Sequence, residues 1–184
     1  MCPQNHSVTP PQPEDSILDQ GFYNDAFIRL GTLGIQNVAD LGCGTGSFVR
    51  IMTAKKQKPQ VYWGLDLDKS KIDVARERYP GWTFTHGDFF NERSRSEFSR
   101  HDAFLFLNVL EHLEDDLGLL ASLPPGRHVV LSAPTIETPE ALRWYGKAEE
   151  IKTRYTRLLN IHFKGKYQSP NGQTWHMLIA QRPV

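Results

Sequence analysis

Residues 38–49 (Val-Ala-Asp-Leu-Gly-Cys-Gly-Thr-Gly-Ser-Phe-Val) constrain this chain more than any other stretch. A short, mostly apolar run carrying Asp40 leads into three glycines at alternate positions, Gly42, Gly44 and Gly46, and an apolar-periodic segment follows at once. The pattern predicts a strand over 38–42, a tight turn, and a helix over 45–56. Glycine reaches positive φ without a steric penalty, and a residue lacking Cβ lets a ligand come close to the main chain. In open α/β sheets a turn of this kind, between a strand and a helix, is where nucleoside ligands bind.

The spacing selects among such ligands. A dinucleotide fingerprint, G-x-G-x-x-G, requires a third glycine where this chain has Ser47. Asp40, just before the turn, would also repel a pyrophosphate, whereas it attracts a ligand bearing an ammonium and a sulfonium. S-adenosylmethionine carries both charges. Asp40-Leu41-Gly42-Cys43-Gly44-Thr45-Gly46 resembles the first motif of the class I S-adenosylmethionine-dependent methyltransferases. Gly42, Cys43, Gly44 and Gly46 are then the turn residues facing the cofactor, with Asp40 beside them. A purely structural turn in a flavodoxin-like sheet is the alternative.

Length and composition fit one globular domain. The chain has 184 residues, with 39% hydrophobic and 23% charged. Residues 1–13 contain four prolines among polar residues and are expected to be a flexible tail; residues 14–184 are expected to be a single domain. Lysine plus arginine equals aspartate plus glutamate, so the whole chain lacks the basic footprint of a nucleic-acid or membrane-surface protein. No signal-peptide pattern opens the sequence, and no apolar run approaches the roughly 18 residues of a membrane span. Two cysteines, Cys2 in the tail and Cys43 in the glycine turn, make a disulfide unexpected, and a reducing cytoplasm suits them. Cys43 reads as a small apolar filler rather than a reactive thiol.

After the turn, strand and helix alternate. Strands are expected at 60–66, 83–87, 103–109 and 128–133, and helices at 69–79, near 91–100 and at 112–123. That alternation predicts a doubly wound, Rossmann-like parallel sheet with helices on both faces. Before it, Glu14 to Leu33 reads as one or two short helices, in which Phe22 and Tyr23 either lie across the cofactor mouth or pack in the core. Glu137 to Asn160 reads as a charged helix. Residues around Pro170-Asn171-Gly172 read as the turn of a hairpin. The resemblance implies seven strands, mostly parallel, ending in this antiparallel hairpin.

The strand ends carry the remaining candidates. Asp66 closes the second strand about twenty residues after the turn, where a carboxylate accepts hydrogen bonds from both ribose hydroxyls. Leu67 would lie against the adenine, and Asp68 reads as a helix N-cap. The resemblance implies that Asp88 and Phe89 read the adenine edge, with a turn as the alternative role for Asp88. It also implies that Asn108, Val109 and Leu110 border the methyl group. In related small-RNA 2′-O-methyltransferases, two glutamates and a histidine of this stretch hold magnesium. Here Asn108 replaces the first acid, so no metal is expected. His112 reads either as a general base or as a backbone-bonded residue at a helix start, and Glu111 as a dipole partner in a first helical turn.

The expected activity is methyl transfer to an oxygen or nitrogen of a small-molecule acceptor, with Asn108 and His112 as the candidate catalytic residues. Alternatives are an RNA or protein methyltransferase, or a non-catalytic cofactor-binding module. The segment after strand five, with Trp144, Tyr145 and Tyr155 among Arg143, Lys147, Lys152, Arg154, Arg157, Lys164 and Lys166, would face the acceptor. It reads as an amphipathic helix rather than a nucleic-acid surface, since Glu149 and Glu150 interrupt the cations. Trp175 and His176 read as core and edge residues. Sequence alone leaves the oligomeric state undetermined.

Overall fold

The computed structural model describes residues 20–56, 59, 61–138, 140–168 and 172–184. The tail expected over 1–13, Cys2, the start of the helix expected from Glu14, and Pro170 and Asn171 of the hairpin turn lie outside the described residues. The elements are α1 (Gln20–Thr32), β1 (Asn37–Leu41), α2 (Ser47–Ala54), β2 (Val61–Asp66), α3 (Lys69–Arg78), β3 (Thr83–His86), α4 (Glu92–Ser96), β4 (Ala103–Leu107), α5 (Asp116–Ala121), β5 (His128–Pro134), α6 (Ala148–Tyr155), β6 (Asn160–Gln168) and β7 (Thr174–Gln181). Single 3-10 turns at Phe98–Arg100 and Leu110–His112 flank β4.

One seven-stranded sheet runs β3-β2-β1-β4-β5-β7-β6. β1 to β5 pair in parallel, and β7 pairs antiparallel with both β5 and β6. The doubly wound, mostly parallel sheet with a C-terminal antiparallel pair is therefore the architecture expected from the sequence.

Alternation along the strands sends side chains to two cores. Ala39, Leu41, Trp63, Phe104, Phe106 and Leu131 face one side, with Leu119 and Leu120 of α5 and Ile151 and Tyr155 of α6. Val38, Leu105, Leu107, Val130 and Met177 face the other, with Phe22, Tyr23, Ala26 and Leu30 of α1 and Phe48, Val49 and Met52 of α2. Phe22 is 0% exposed, so the alternative of core packing describes it.

Two expected helices are shorter in the fold. In place of a helix over 112–123 there is a 3-10 turn, then α5 alone. Asp115 accepts the Gly118 N–H at 2.9 Å, which starts α5 there rather than at residue 112. Of the helix expected over Glu137 to Asn160, only Ala148–Tyr155 forms. The residues before it are tied instead to other elements: the Leu142 N–H donates to Glu111 O at 2.8 Å, and the Tyr145 N–H to Pro134 O at 3.0 Å. A backbone whose amides are committed outward cannot also close i to i−4 bonds. Among the described residues no helix is long and apolar enough to cross a membrane.

Candidate active site

The strand order reverses between β1 and β4, so the chain leaves their carboxyl ends in opposite directions and opens a crevice between them. The glycine turn after β1 and residues 108–112 after β4 meet there. A Cβ built on Gly42, whose φ is +82°, would lie 2.4 Å from Val109 Cγ2. The two strand ends touch only because residue 42 has no side chain.

The turn is fastened to β2. Gly42 and Cys43 both donate their N–H to Leu65 O, at 2.7 and 3.2 Å. Gly44 donates to Asp66 Oδ2 at 2.8 Å, and the other carboxylate oxygen of Asp66 accepts the Asp68 N–H at 2.9 Å. Gly44 has φ +54°, and nothing lies within 4 Å of where its Cβ would stand. The turn thus presents bare backbone to open space next to a half-buried carboxylate. Leu67, 65% exposed, continues that rim. Asp68 caps α3 through the amides of Ser70 and Lys71, as expected, and the Ser70 hydroxyl, followed by those amides, holds its carboxyl below the usual carboxylate range.

Asp40 lies beneath the turn. It is buried and accepts a hydrogen bond from Tyr62 Oη at 2.8 Å. Burial pushes its carboxyl up to about 7, against the opposing Tyr62 bond, and the charge of Asp66 adds to the rise. Tyr23 of α1 is near enough to feel the charges of both Asp40 and Glu111; burial first, then Asp40, raises its phenol. Cys43 is buried, and burial followed by the two aspartates holds its thiol far above the usual range, which fits an inert filler.

Asp88 is exposed at the end of β3 and accepts the Phe90 N–H at 2.8 Å, so one of its oxygens performs the turn role. Phe89 is buried in the core. Asp88, Trp63, Thr85 and Asn91 contribute to a polar cavity of about 460 Å³ beside this turn.

β4 stops at Leu107 rather than 109 because Asn108 takes a left-handed φ of +60°. Ser132 of β5 stabilises that conformation: its Oγ accepts the Asn108 N–H and donates to Asn108 Oδ1, both at 2.9 Å. Asparagine tolerates this region better than most residues. The side-chain carbonyl of Asn108 is thereby occupied.

The 3-10 turn Leu110–His112 follows. His112 Nδ1 donates to Glu140 O at 2.9 Å, so the backbone-bonded alternative is realised, with a distant carbonyl rather than a helix-start group. Glu111 lies in the first turn of this 3-10 helix, but it points inward. Its side chain is 1% exposed and neither carboxylate oxygen has a hydrogen-bond partner. Burial pushes it up to about 7. No periodicity or motif in the sequence announces an inward carboxylate at this position.

Asp116 was likewise not singled out in the sequence. It accepts Arg154 Nε and Nη2 at 2.8 and 2.6 Å and Tyr155 Oη at 2.8 Å, with Arg143 Nη1 at 3.7 Å. Burial alone would raise its carboxyl, but the Arg154 and Tyr155 bonds bring it below the usual range. Lys152 and Lys164 pair with Glu149. Four of the seven cations after β5 thus pair with two carboxylates, Glu149 of α6 and Asp116 of α5. Trp175 and His176 are buried on β7.

A family model described as a methyltransferase domain matches residues 39–124. No curated protein matches the sequence. Solved structures share the fold. The methyltransferase domain of bacterial CtHen1-C has 18% identity and a TM-score of 0.68, over 90% of this chain and 99% of that one. Magnesium protoporphyrin IX methyltransferase from Synechocystis PCC 6803, with bound S-adenosylmethionine, has 21% identity and a TM-score of 0.66, over 89% and 79%. The N-methyltransferase NodS from Bradyrhizobium japonicum WM9, in complex with S-adenosylhomocysteine, has 20% identity and a TM-score of 0.68, over 97% and 94%. The matched residues contain the glycine turn, Asp66 and the turn after β4, so the part of the sheet that carries the site is similar in sequence to a methyltransferase domain, and the chain as a whole has the fold of these methyltransferase structures.

Proposed function

We propose that this enzyme methylates an oxygen or nitrogen of a small-molecule acceptor. The observation that carries the reading is the open backbone of Gly44 above Asp66 at the sheet's switch point, with the turn after β4 facing it. When bound, S-adenosylmethionine supplies a methyl group already activated by the sulfonium. The residues of the chain suit it: the Asp66 carboxylate holds the ribose, Leu67 lies along the adenine, Asp88 and Phe89 flank its edge, and Gly42 to Gly46 offer main chain. Asp40, which keeps its proton to about pH 7, lends negative charge from beneath the turn to the cationic end of the ligand once it is ionised.

The chain's main contribution is to place the acceptor in line with the methyl group and to keep water out; orientation of that kind is worth about 7–11 kcal/mol. Asn108 and Val109 form the wall on the methyl side, with Ser132 holding Asn108 in register. Pairing of Arg143, Lys152, Arg154 and Lys164 with Asp116 and Glu149 favours a small acceptor over a polyanion. The test is incubation of the protein with isotopically labelled S-adenosylmethionine and a metabolite extract. Mass spectrometry should then find one small compound heavier by one labelled methyl. Label appearing only in RNA or protein would overturn the small-molecule assignment.

A further inference from the structure

Glu111 is held in place from all sides except at its own carboxylate. The Leu142 N–H bonds its carbonyl at 2.8 Å, Arg143 Nη1 bonds Leu110 O and Leu113 O at 2.6 Å each, and His112 Nδ1 bonds Glu140 O. These bonds fix the 3-10 turn and keep the side chain inward, 1% exposed, with neither oxygen in a hydrogen bond of full geometry; the backbone amides of Glu111 and Val109 and the charge of Arg143 only partly offset its burial. His112 Nε2 lies 3.9 Å from one of its oxygens, and Arg143 is the cation whose charge reaches it. Arg143 lies on the same segment, but its guanidinium is committed to the two carbonyls and to Asp116. An unpaired buried carboxylate costs several kcal/mol, and the complement that removes this cost is a hydrogen-bond donor carrying positive charge.

The segment that fastens this turn also has an unusual surface. Within residues 136–144, Ile136 is 52%, Leu142 55% and Trp144 45% exposed. The backbone of the buried acid is thus bonded to a segment that carries three exposed apolar side chains after the carboxyl end of β5.

We infer that Glu111 receives the acceptor's nucleophile as an ammonium nitrogen, carried on a small apolar body that rests on Ile136, Leu142 and Trp144. The inference rests on the methyl-transfer reading and narrows it to nitrogen. An ammonium gives the carboxylate an ion pair and a hydrogen bond together, a hydroxyl gives only the bond, and an anionic acceptor is repelled. In the transfer, a Glu111 oxygen takes one N–H proton. The freed lone pair forms the bond to the methyl carbon, and the carbon–sulfur bond breaks with its electron pair passing to sulfur. The products are the methylated ammonium, a neutral thioether and a protonated Glu111.

Calorimetry on protein saturated with S-adenosylhomocysteine tests this, with 2-phenylethylammonium and 3-phenylpropionate as probes. The amine is expected to bind and the acid not to. Glu111→Gln, which keeps the side chain's shape, should weaken amine binding by about tenfold or more while leaving S-adenosylhomocysteine affinity within about twofold. Trp144→Ala, at an exposed position that does not threaten folding, should weaken the amine by several-fold. Equal binding of the acid, or a Glu111→Gln protein that binds the amine as well as wild type, overturns the inference alone. Failure of wild type to bind S-adenosylhomocysteine overturns the methyl-transfer reading and this inference with it.

Discussion

Tyr62 donates its hydroxyl to the Asp40 carboxyl at 2.8 Å, directly beneath the glycine turn and out of contact with solvent. Buried as it is, Asp40 keeps its proton in the folded chain to about pH 7, whereas its ordinary value is 3.8. Between those values the unfolded chain binds fewer protons, so the contribution of Asp40 to stability falls as pH rises and levels off above 7. Asp40→Asn removes this dependence. The stability of Asp40→Asn relative to wild type should therefore increase from pH 4 to pH 7, read as the difference in unfolding midpoints across that range. A constant difference would show that Asp40 ionises normally in the fold.

Asp66 accepts two backbone N–H groups and, on the proposed reading, two ribose hydroxyls. Asp66→Ala should lower affinity for both S-adenosylmethionine and S-adenosylhomocysteine by at least about tenfold, since hydrogen bonds to a charged group are worth about 1.5–3 kcal/mol each. Titration calorimetry decides it, and unchanged affinity would remove the ribose assignment.

Two glycines of the turn separate folding from binding. Alanine at Gly42 drives its Cβ into Val109 at 2.4 Å and should destabilise the fold by about 2 kcal/mol or more. At Gly44 the same change meets empty space and should cost only about 1 kcal/mol for its left-handed backbone. On the proposed reading, however, it places a methyl in the cofactor's path and should weaken S-adenosylhomocysteine by about tenfold or more. Urea unfolding and calorimetry on both variants measure the contrast. Equal binding losses per unit of destabilisation would contradict it.

Arg143→Met should release the segment after β5 from the turn after β4. Leu113 O loses its Arg143 donor and Leu110 O keeps only the Leu113 N–H at 3.3 Å, which predicts a destabilisation of about 1–3 kcal/mol. Asp116 keeps Arg154 and Tyr155, so no naked buried charge is created. Hydrogen exchange should accelerate at the Leu142 amide, which bonds Glu111 O, and remain slow in β1 and β4.

The sheet and the glycine turn were legible in the sequence because strand, turn and helix there depend on neighbours a few residues apart. Gly42, Gly44, Gly46 and the Asp68 cap are local devices of this type. Glu111, Ser132 and Asp116 were not, since their roles depend on partners, or on a missing partner, from distant segments. Asp116 meets Arg154 38 residues away, and Ser132 meets Asn108 across 24. The helix expected over Glu137 to Asn160 had acceptable composition throughout. Tertiary bonds to Glu111 and Pro134 overrode it before Ala148.

The position of β7 has a consequence for biosynthesis. It follows β6 in sequence yet lies between β5 and β6, paired with seven residues of β5 and eight of β6. While the ribosome is still emitting residues 160–168, β5 is a bare, apolar border with unsatisfied amides, and β6 has nothing to hydrogen-bond with. Nascent chains stalled before residue 174 carry an adhesive flank that β7 seals once it is made.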